Sequence, residues 1–240
     1  LAALQARVRR GGYAFGVAFD GDADRAGFVD ETGAVIPMDL VTALIAQDIL
    51  ARRRGVIFYD LRSSWIVKET ILAAGGTPMM SRVGHAFIKQ QMREHDALFA
   101  GELSGHYYFR DNYTTESSAL AILSLANIVG RAGKPLSALV APLRVYCASG
   151  EINTEVSGNP KAILADIKAA YADGKVFELD GVSVEYPDWW FNVRCSNTEP
   201  LVRLNVEART SEQMERKRDE LLARIRHTCE KPAGSRNASS

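Results

Sequence analysis

Three aspartates stand at alternate positions directly after an apolar stretch of the chain. The stretch covers Tyr13 to Phe19, and Asp20, Asp22 and Asp24 follow it. Carboxylates this close repel one another unless a cation gathers them. Their hard oxygen atoms favour Mg²⁺ or Ca²⁺ over softer metals. The spacing therefore predicts a site for a divalent cation.

A second hypothesis for the same loop stays open. Aspartyl-phosphate phosphatases also place an Asp-x-Asp pair after a buried strand, and one of the aspartates attacks the phosphoryl group. On that interpretation Asp20 is a nucleophile and not a metal ligand. The residue types of the loop alone do not separate the two.

A glycine-flanked loop further along the chain suits a sugar. It has the sequence Gly101-Glu-Leu-Ser104-Gly-His106 and follows an apolar stretch that predicts a strand. The carboxylate of Glu102 accepts hydrogen bonds and the hydroxyl of Ser104 both donates and accepts, which matches adjacent hydroxyl groups on a sugar ring.

Two further segments suit an anion. Val83-Gly-His85 stands at a strand-to-helix junction, where backbone N–H groups and the helix dipole favour negative charge. The segment from Arg194 to Arg203 joins two predicted strands. Its two guanidinium groups suit bidentate contact with phosphate, and the small polar residues between them supply further donors.

The order of these segments resembles the phosphomannomutase/phosphoglucomutase family of the α-D-phosphohexomutase superfamily. Residues 19–25, F-D-G-D-A-D-R, are similar to the metal-binding loop of the family. Residues 101–106 are similar to its sugar-binding motif G-E-x-S-G-H, and residues 194–203 to its phosphate loop R-x-S-N-T-E-P-x-x-R. Residues 84–89 are similar to a G-H-x-x-I-K segment that lines the cleft. The resemblance covers nearly everything from residue 13 to about residue 230.

The resemblance implies a role for each matching position. Mg²⁺ would be held by Asp20, Asp22 and Asp24. Some relatives have lysine in place of Arg62, so the positive charge there is kept but its geometry differs. The expected catalytic residues are Arg25 and His106, the second because an imidazole can take up and release a proton. The expected substrate-binding residues are Arg62, Gly84, His85, Glu102, Ser104, His106, Arg194, Ser196, Asn197, Thr198 and Arg203.

The implied activity is Mg²⁺-dependent transfer of a phosphoryl group between the 1- and 6-positions of mannose or glucose phosphate. It uses a phosphoserine and a hexose 1,6-bisphosphate, which is both intermediate and activator. The chain contains no T-A-S-H-N-P-like segment, which carries the serine in the family. We therefore expect that serine in N-terminal domains missing here, and no turnover by the isolated chain. The alternatives are a non-catalytic sugar-phosphate-binding module and the phosphatase-like enzyme.

The elements that position these loops follow from hydrophobic patterning. The run at 13–19 predicts a strand that is buried on both faces and needs neighbouring strands from outside the chain. Alternating strands and helices in the middle of the chain indicate βαβ units and a mostly parallel sheet. These are strands 56–61, 77–82, 97–102 and 106–110, and helices 63–74, 85–94 and 116–131. Closely spaced strands later in the chain indicate an antiparallel α+β arrangement: strands 151–156, 176–179, 182–186, 190–194 and 201–208, with helices 160–171 and 211–229.

Four segments follow from this pattern and from the resemblance. We expect the tail of a truncated α/β domain with the metal loop at 1–34, and an α/β sugar-binding domain like domain 3 of the family at 35–146. We expect an α+β phosphate-binding domain at 147–231, with an antiparallel sheet like that of the TATA-binding protein. Residues 232–240 are small and polar and predict a disordered tail.

Composition limits the partners. The 29 basic side chains balance 29 acidic ones, so no overall charge attracts nucleic acid or an anionic membrane. No apolar run approaches the roughly 20 residues of a membrane span. Cys147, Cys195 and Cys229 are widely separated, which is typical of reduced thiols in a cytoplasmic protein. The aromatic run 189–191 is expected in the core and not stacked on a sugar. We expect a hexose phosphate as the partner.

Overall fold

The structure is a computed structural model that describes residues 1–156, 159–196 and 199–230, with the backbone alone at 229 and 230. Contacts divide the chain into two compact units, Leu1–Val145 and Tyr146–Ser240. Among the described residues, no helix has the length and apolar character to cross a membrane.

The first unit opens with a helix and a small antiparallel sheet. Helix α1 (Ala2–Val8) precedes β1 (Phe15–Phe19), β2 (Ala26–Asp30) and β3 (Val35–Ile36), which pair in that order. The prediction that β1 is buried on both faces is wrong. Only Gly16 of β1 is buried, and Phe19 is 51% exposed. The strand pairs with β2, which follows it in the chain, so the acidic loop is the turn of a hairpin.

A five-stranded mixed sheet forms the centre of this unit. The order is β5-β4-β6-β7-β8, with β4 parallel to β5 and β6, and the β6–β7 and β7–β8 pairs antiparallel. Parallel neighbours end at the same edge, so loops after β4, β5 and β6 share one edge of the sheet. The strands are β4 (Val56–Asp60), β5 (Thr77–Ser81), β6 (Phe99–Gly101), β7 (Tyr107–Phe109) and β8 (Thr115–Glu116).

Five helices belong to the same part of the chain: α2 (Met38–Leu50), α3 (Trp65–Ala73), α4 (His85–Glu94), α5 (Ser118–Ala132) and α6 (Leu136–Val140). The predicted helices at 63–74, 85–94 and 116–131 are confirmed as α3, α4 and α5. Helix α2 was not predicted. Ten of its 13 residues are buried, so its sequence lacks the polar face that marks an amphipathic helix.

The described residues of the second unit form an antiparallel sheet and two helices. The strand order is β10-β14-β13-β12-β11, and β9 also pairs with β14. The predicted antiparallel α+β arrangement is confirmed. The elements are β9 (Cys147–Ala148), β10 (Ile152–Glu155), α7 (Pro160–Ala170), β11 (Lys175–Phe177), β12 (Val182–Glu185), β13 (Trp189–Cys195), β14 (Leu201–Ala208) and α8 (Ser211–Glu230).

The core of the second unit contains alternate residues of β13 and β14, which belong to one face of the sheet. Phe191 and Leu204 are fully buried there with Ile167 of α7 and Leu221 of α8. The expectation that residues 189–191 are core is confirmed, since Trp189 and Trp190 are each 5% exposed.

Candidate functional site

The turn between β1 and β2 gathers the three aspartates. One carboxylate oxygen from each of Asp20, Asp22 and Asp24 lies within 4.8 Å of the others. Ala23 between them adopts a left-handed conformation with φ 60°, which lets the short turn fold back on itself. The three carboxylates therefore form a compact set of hard oxygen donors, as a divalent cation requires.

Arg25 lies against the same carboxylates. Its Nε donates to Asp20 Oδ2 at 2.5 Å, its backbone N–H donates to Asp20 Oδ1 at 3.2 Å, and its Nε is 3.7 Å from Asp24 Oδ1. Partial desolvation acts to raise the pKa of Asp20, but the hydrogen bonds and charge of Arg25 outweigh it and lower that pKa. Asp20 is therefore held ionised and in place.

His106 connects the acidic loop to the predicted sugar loop. Its Nε2 is 3.2 Å from Asp24 Oδ2 and its Nδ1 is 2.9 Å from Ser104 Oγ. The backbones also meet, since Ala26 N–H donates to Gly105 O at 3.0 Å. Gly105 has φ 94°, and a Cβ there would lie 3.0 Å from Ala26 O, so this approach requires glycine. The structure thus brings two of the predicted segments to one place.

Glu102 is the buried carboxyl of this loop. It is 2% exposed and accepts a hydrogen bond from the Tyr108 hydroxyl at 2.5 Å. Burial raises the pKa of Glu102, against the opposing effect of the Tyr108 hydrogen bond. Burial also raises the pKa of Tyr108, so its phenol stays protonated and keeps donating. Sequence analysis placed Tyr108 in the sheet and missed this contact.

Asp60 and Arg62 form a buried ion pair at the end of β4. Arg62 Nη2 is 2.7 Å from Asp60 Oδ2, and Asp60 also accepts from the backbone N–H of Leu103 at 2.8 Å. Asp60 is fully buried and Arg62 is 9% exposed. Arg62 lies 3.9 Å from Glu102, so the pair supports the sugar loop. Arg62 was predicted as a substrate contact, and that role stays a prediction. Asp60 was not predicted, and the signal available for it was its place at the end of a parallel strand.

Gly84 and His85 stand at the same edge of the sheet, after β5. Gly84 has φ 128° and directly precedes α4, and His85 is exposed on the first turn. One turn further on, Lys89 Nζ donates to Glu116 Oε1 at 2.8 Å. Glu116 lies opposite Tyr108 in the β7–β8 pair.

The predicted phosphate loop is the turn between β13 and β14 of the second unit. Arg194 and Arg203 stand directly opposite each other across these strands. Ser196 N–H donates to Leu201 O at 2.8 Å, and Ser196 Oγ accepts from Glu199 N–H at 3.3 Å. The two remaining predicted residues of this loop, Asn197 and Thr198, lie outside the described residues.

Glu151 also belongs to this group, although sequence analysis did not single it out. Its Oε2 is 2.8 Å from Arg194 Nη2, and its Oε1 is 3.6 Å from Arg203 Nη1. The signal available in the sequence was an acidic residue at the start of a predicted strand.

Comparison with known families shows which family the chain belongs to. A family described as "Phosphoglucomutase/phosphomannomutase, alpha/beta/alpha domain III" matches residues 37–146. The description "Phosphoglucomutase/phosphomannomutase, C-terminal domain" matches residues 151–224. The chain belongs to the phosphoglucomutase/phosphomannomutase family. The predicted family is confirmed.

Curated relatives and solved structures agree with this assignment. A phosphomannomutase of Methanocaldococcus jannaschii is 46% identical over 215 residues, covering 89% of this chain and 48% of the relative. A phosphomannomutase of Escherichia coli is 41% identical over 216 residues, covering 88% of this chain and 47% of the relative. The chain spans about half the length of the curated relatives it matches.

The crystal structure of a phosphoglucomutase/phosphomannomutase family protein from Burkholderia thailandensis matches with a TM-score of 0.83 and 31% identity. The match covers 97% of this chain and 50% of that chain. The predicted fold class, a mixed-sheet domain like domain 3 and an antiparallel C-terminal domain, is confirmed. The roles of individual site residues stay predictions.

Proposed function

We propose that this chain is the metal- and sugar-phosphate-binding part of a phosphohexomutase, which interconverts the 1- and 6-phosphates of mannose or glucose. The observation that carries the proposal is the position of His106 between Asp24 of the acidic loop and Ser104 of the sugar loop. One histidine joins a carboxylate cluster to a loop suited to sugar hydroxyls, inside a family whose curated relatives are named phosphomannomutases.

Mg²⁺ is the cofactor we propose for the acidic loop. Asp20, Asp22 and Asp24 would hold it, because each offers a hard oxygen within one small cluster. When bound, Mg²⁺ neutralises charge on a phosphoryl group in transfer. Arg25, paired to Asp20, adds a fixed positive charge beside the cluster.

Glu102 and Ser104 are the residues we propose for the sugar ring. The carboxylate of Glu102 would accept a hydrogen bond from a ring hydroxyl. Tyr108 donates a hydrogen bond to the same carboxylate, and Arg62 lies 3.9 Å from it. Carboxylate and hydroxyl groups recognise the adjacent hydroxyls common to mannose and glucose. The arrangement therefore serves both sugars.

Arg194, Ser196 and Arg203 are the residues we propose for the phosphate that does not react, together with Asn197 and Thr198 from the sequence. Two guanidinium groups on opposite strands are suited to bidentate contact with one phosphate. Separately, in the first unit, Gly84 and His85 at the start of α4 are the residues we propose for a further substrate contact.

In the proposed reaction a phosphoserine outside this chain is the donor. A sugar hydroxyl oxygen forms the new bond to phosphorus, the serine O–P bond breaks, and the hydroxyl proton passes to a base, for which we propose His106. The hexose 1,6-bisphosphate then returns its other phosphoryl group to the serine. Positioning and electrostatics supply most of the catalysis in such transfers. We place this chemistry in the cytoplasm, where the described thiols of Cys147 and Cys195 stay free.

The phosphatase interpretation of Asp20 is less well supported. Both carboxylate oxygens of Asp20 accept hydrogen bonds from Arg25. A carboxylate held at both oxygens is better suited to bind a metal ion than to attack a phosphoryl group.

Calorimetric titration of this chain with mannose 6-phosphate and glucose 1-phosphate tests the binding half of the proposal. We expect both to bind and unphosphorylated mannose to bind far more weakly. Glu102→Ala and Arg194→Met should each weaken binding, through the sugar and the phosphate respectively. Equal affinity for mannose and mannose 6-phosphate would contradict the proposal.

A further inference from the structure

Two arginines of the phosphate loop face each other without an intervening residue. Arg194 of β13 and Arg203 of β14 are direct cross-strand partners. Like charges in this position destabilise a sheet unless something lies between them. Arg194 is 7% exposed, so solvent screens its charge poorly. This pair therefore needs a counter-charge that holds it.

Glu151 supplies that counter-charge. The residue directly precedes β10, which pairs with β14, and this places its carboxylate beside both arginines. One oxygen approaches each guanidinium, Oε2 to Arg194 Nη2 at 2.8 Å and Oε1 to Arg203 Nη1 at 3.6 Å. Glu199 lies 3.7 Å from Arg203 as well, but its side chain is 59% exposed and its charge is screened by solvent, so the two guanidinium groups still attract an anion.

The buried ends of the same guanidinium groups argue that their orientation is fixed. Within the described part of the chain, Nε of Arg194 and Nε of Arg203 are both buried without a hydrogen-bond partner. A buried donor left unpaired is costly, so a side chain keeps such a pose only when other contacts impose it. The carboxylate of Glu151 is the contact that the two arginines share.

We propose that Glu151 is a positioning residue for phosphate recognition, and that it holds Arg194 and Arg203 ready for the phosphate group of a sugar phosphate. The inference rests on the proposed function. A fixed pair of guanidinium groups binds phosphate better than a mobile pair, because less side-chain freedom is lost on binding.

Glu151 could act only through its negative charge or by positioning the arginines, and the two roles predict different effects of substitution. Glu151→Gln keeps the length of the side chain and removes its charge, while Glu151→Asp keeps the charge and withdraws it by one methylene group. If Glu151 acted only through its negative charge, Glu151→Gln would tighten binding of an anion and Glu151→Asp would leave it unchanged. If Glu151 positions the arginines, both variants bind more weakly.

The experiment is titration calorimetry of the whole chain with mannose 6-phosphate. We expect the dissociation constant to rise about tenfold in Glu151→Asp and at least about threefold in Glu151→Gln. The affinity that remains in Glu151→Gln should fall more steeply with added salt than the wild-type affinity. It would come from the charge of arginines that no longer keep a fixed orientation. The matched control is Glu178→Gln, since Glu178 belongs to the same unit, pairs with Lys168 and is 54% exposed. We expect that control to stay within about twofold of the wild type.

Circular dichroism and the thermal midpoint separate positioning from folding. Weakened binding with wild-type spectra and a midpoint within a few degrees of the wild type supports the proposal. Tighter binding in Glu151→Gln, unchanged binding in Glu151→Asp, or loss of folding in both variants overturns it. A wild-type chain that fails to bind mannose 6-phosphate overturns the proposed function itself and this inference with it.

Discussion

His106 Nε2 lies 3.2 Å from Asp24 Oδ2, although the two residues are 82 positions apart in the chain. Through Nδ1 the same ring reaches Ser104 Oγ at 2.9 Å. The contact joins the hairpin turn of a small antiparallel sheet to a loop of the central mixed sheet. The two loops therefore contact each other through this side chain as well as through the backbone hydrogen bond from Ala26 to Gly105.

The first prediction concerns the acidic loop. Asp22→Asn should lower the affinity for Mg²⁺ at least about tenfold, because it removes one charged ligand from the cluster. Asp22 is the exposed member of the three, so the Arg25–Asp20 and His106–Asp24 contacts remain. Titration calorimetry with Mg²⁺ measures the change.

The matched control is Asp96→Asn, an aspartate that is 83% exposed and paired with Arg110. Equal losses in the two variants would argue against a specific site.

The second prediction concerns the buried ion pair behind the sugar loop. Arg62→Met leaves the carboxylate of Asp60 buried without its partner and should lower the free energy of unfolding by about 3 kcal/mol. Arg53→Met breaks the exposed pair with Asp111, whose side chains are 39% and 68% exposed, and should cost less than about 1 kcal/mol. Urea unfolding followed by circular dichroism gives both values. Similar losses for the two variants would mean that burial does not determine the energetics of these pairs.

The third prediction compares two neighbouring tyrosines that are both fully buried. Tyr108→Phe removes the hydrogen bond to the Glu102 carboxyl and should destabilise the chain by about 1.5–3 kcal/mol, the range for bonds to a charged group. Tyr107→Phe removes a longer bond of 3.4 Å to the backbone oxygen of Met38 and should cost less. The difference should appear in urea unfolding and, for Tyr108→Phe alone, in weaker binding of mannose 6-phosphate. A larger effect of Tyr107→Phe would contradict the assignment.

The fourth prediction is a pH dependence. Burial raises the pKa of Glu102 above its usual value of 4.5. The folded protein therefore keeps this proton after the unfolded chain has lost it, and the free energy of unfolding falls as pH rises from 4.5 toward the folded pKa. Glu102→Gln removes this contribution and should flatten the fall. Urea unfolding at a series of pH values measures it, and a variant whose decline equals that of the wild type would exclude Glu102 as its source.

Local signals in the sequence predicted much of the fold. Helix α4 was predicted at 85–94 and begins and ends at those residues. Gly84 marks the start of the helix, and Ile88 and Met92 are its buried residues at helical spacing. The glycine and the hydrophobic pattern therefore predict the same helix. Helix α2 carries no such contrast because water reaches little of its surface. The strand β1 was wrongly predicted as buried because an apolar run alone does not reveal how many neighbours cover it.

The candidate site was predictable where its residues belong to one segment. The acidic loop and the sugar loop each stand in a few consecutive positions, and the resemblance placed them in family order. Asp60 and Glu151 were missed because their contacts cross long separations, 43 positions from Asp60 to Leu103 and 43 from Glu151 to Arg194. Only the pairing of strands brings such residues together, and the spacing of single residues does not encode it.

The most direct test of the proposed mutase activity is turnover by the protein in its full natural length. Mannose 1-phosphate and glucose 1-phosphate would be supplied with Mg²⁺ and a trace of hexose 1,6-bisphosphate, and formation of the 6-phosphates followed. We predict isomerisation of at least one sugar phosphate, lost in Asp22→Asn. A folded, serine-phosphorylated protein that converts neither sugar phosphate would contradict the account.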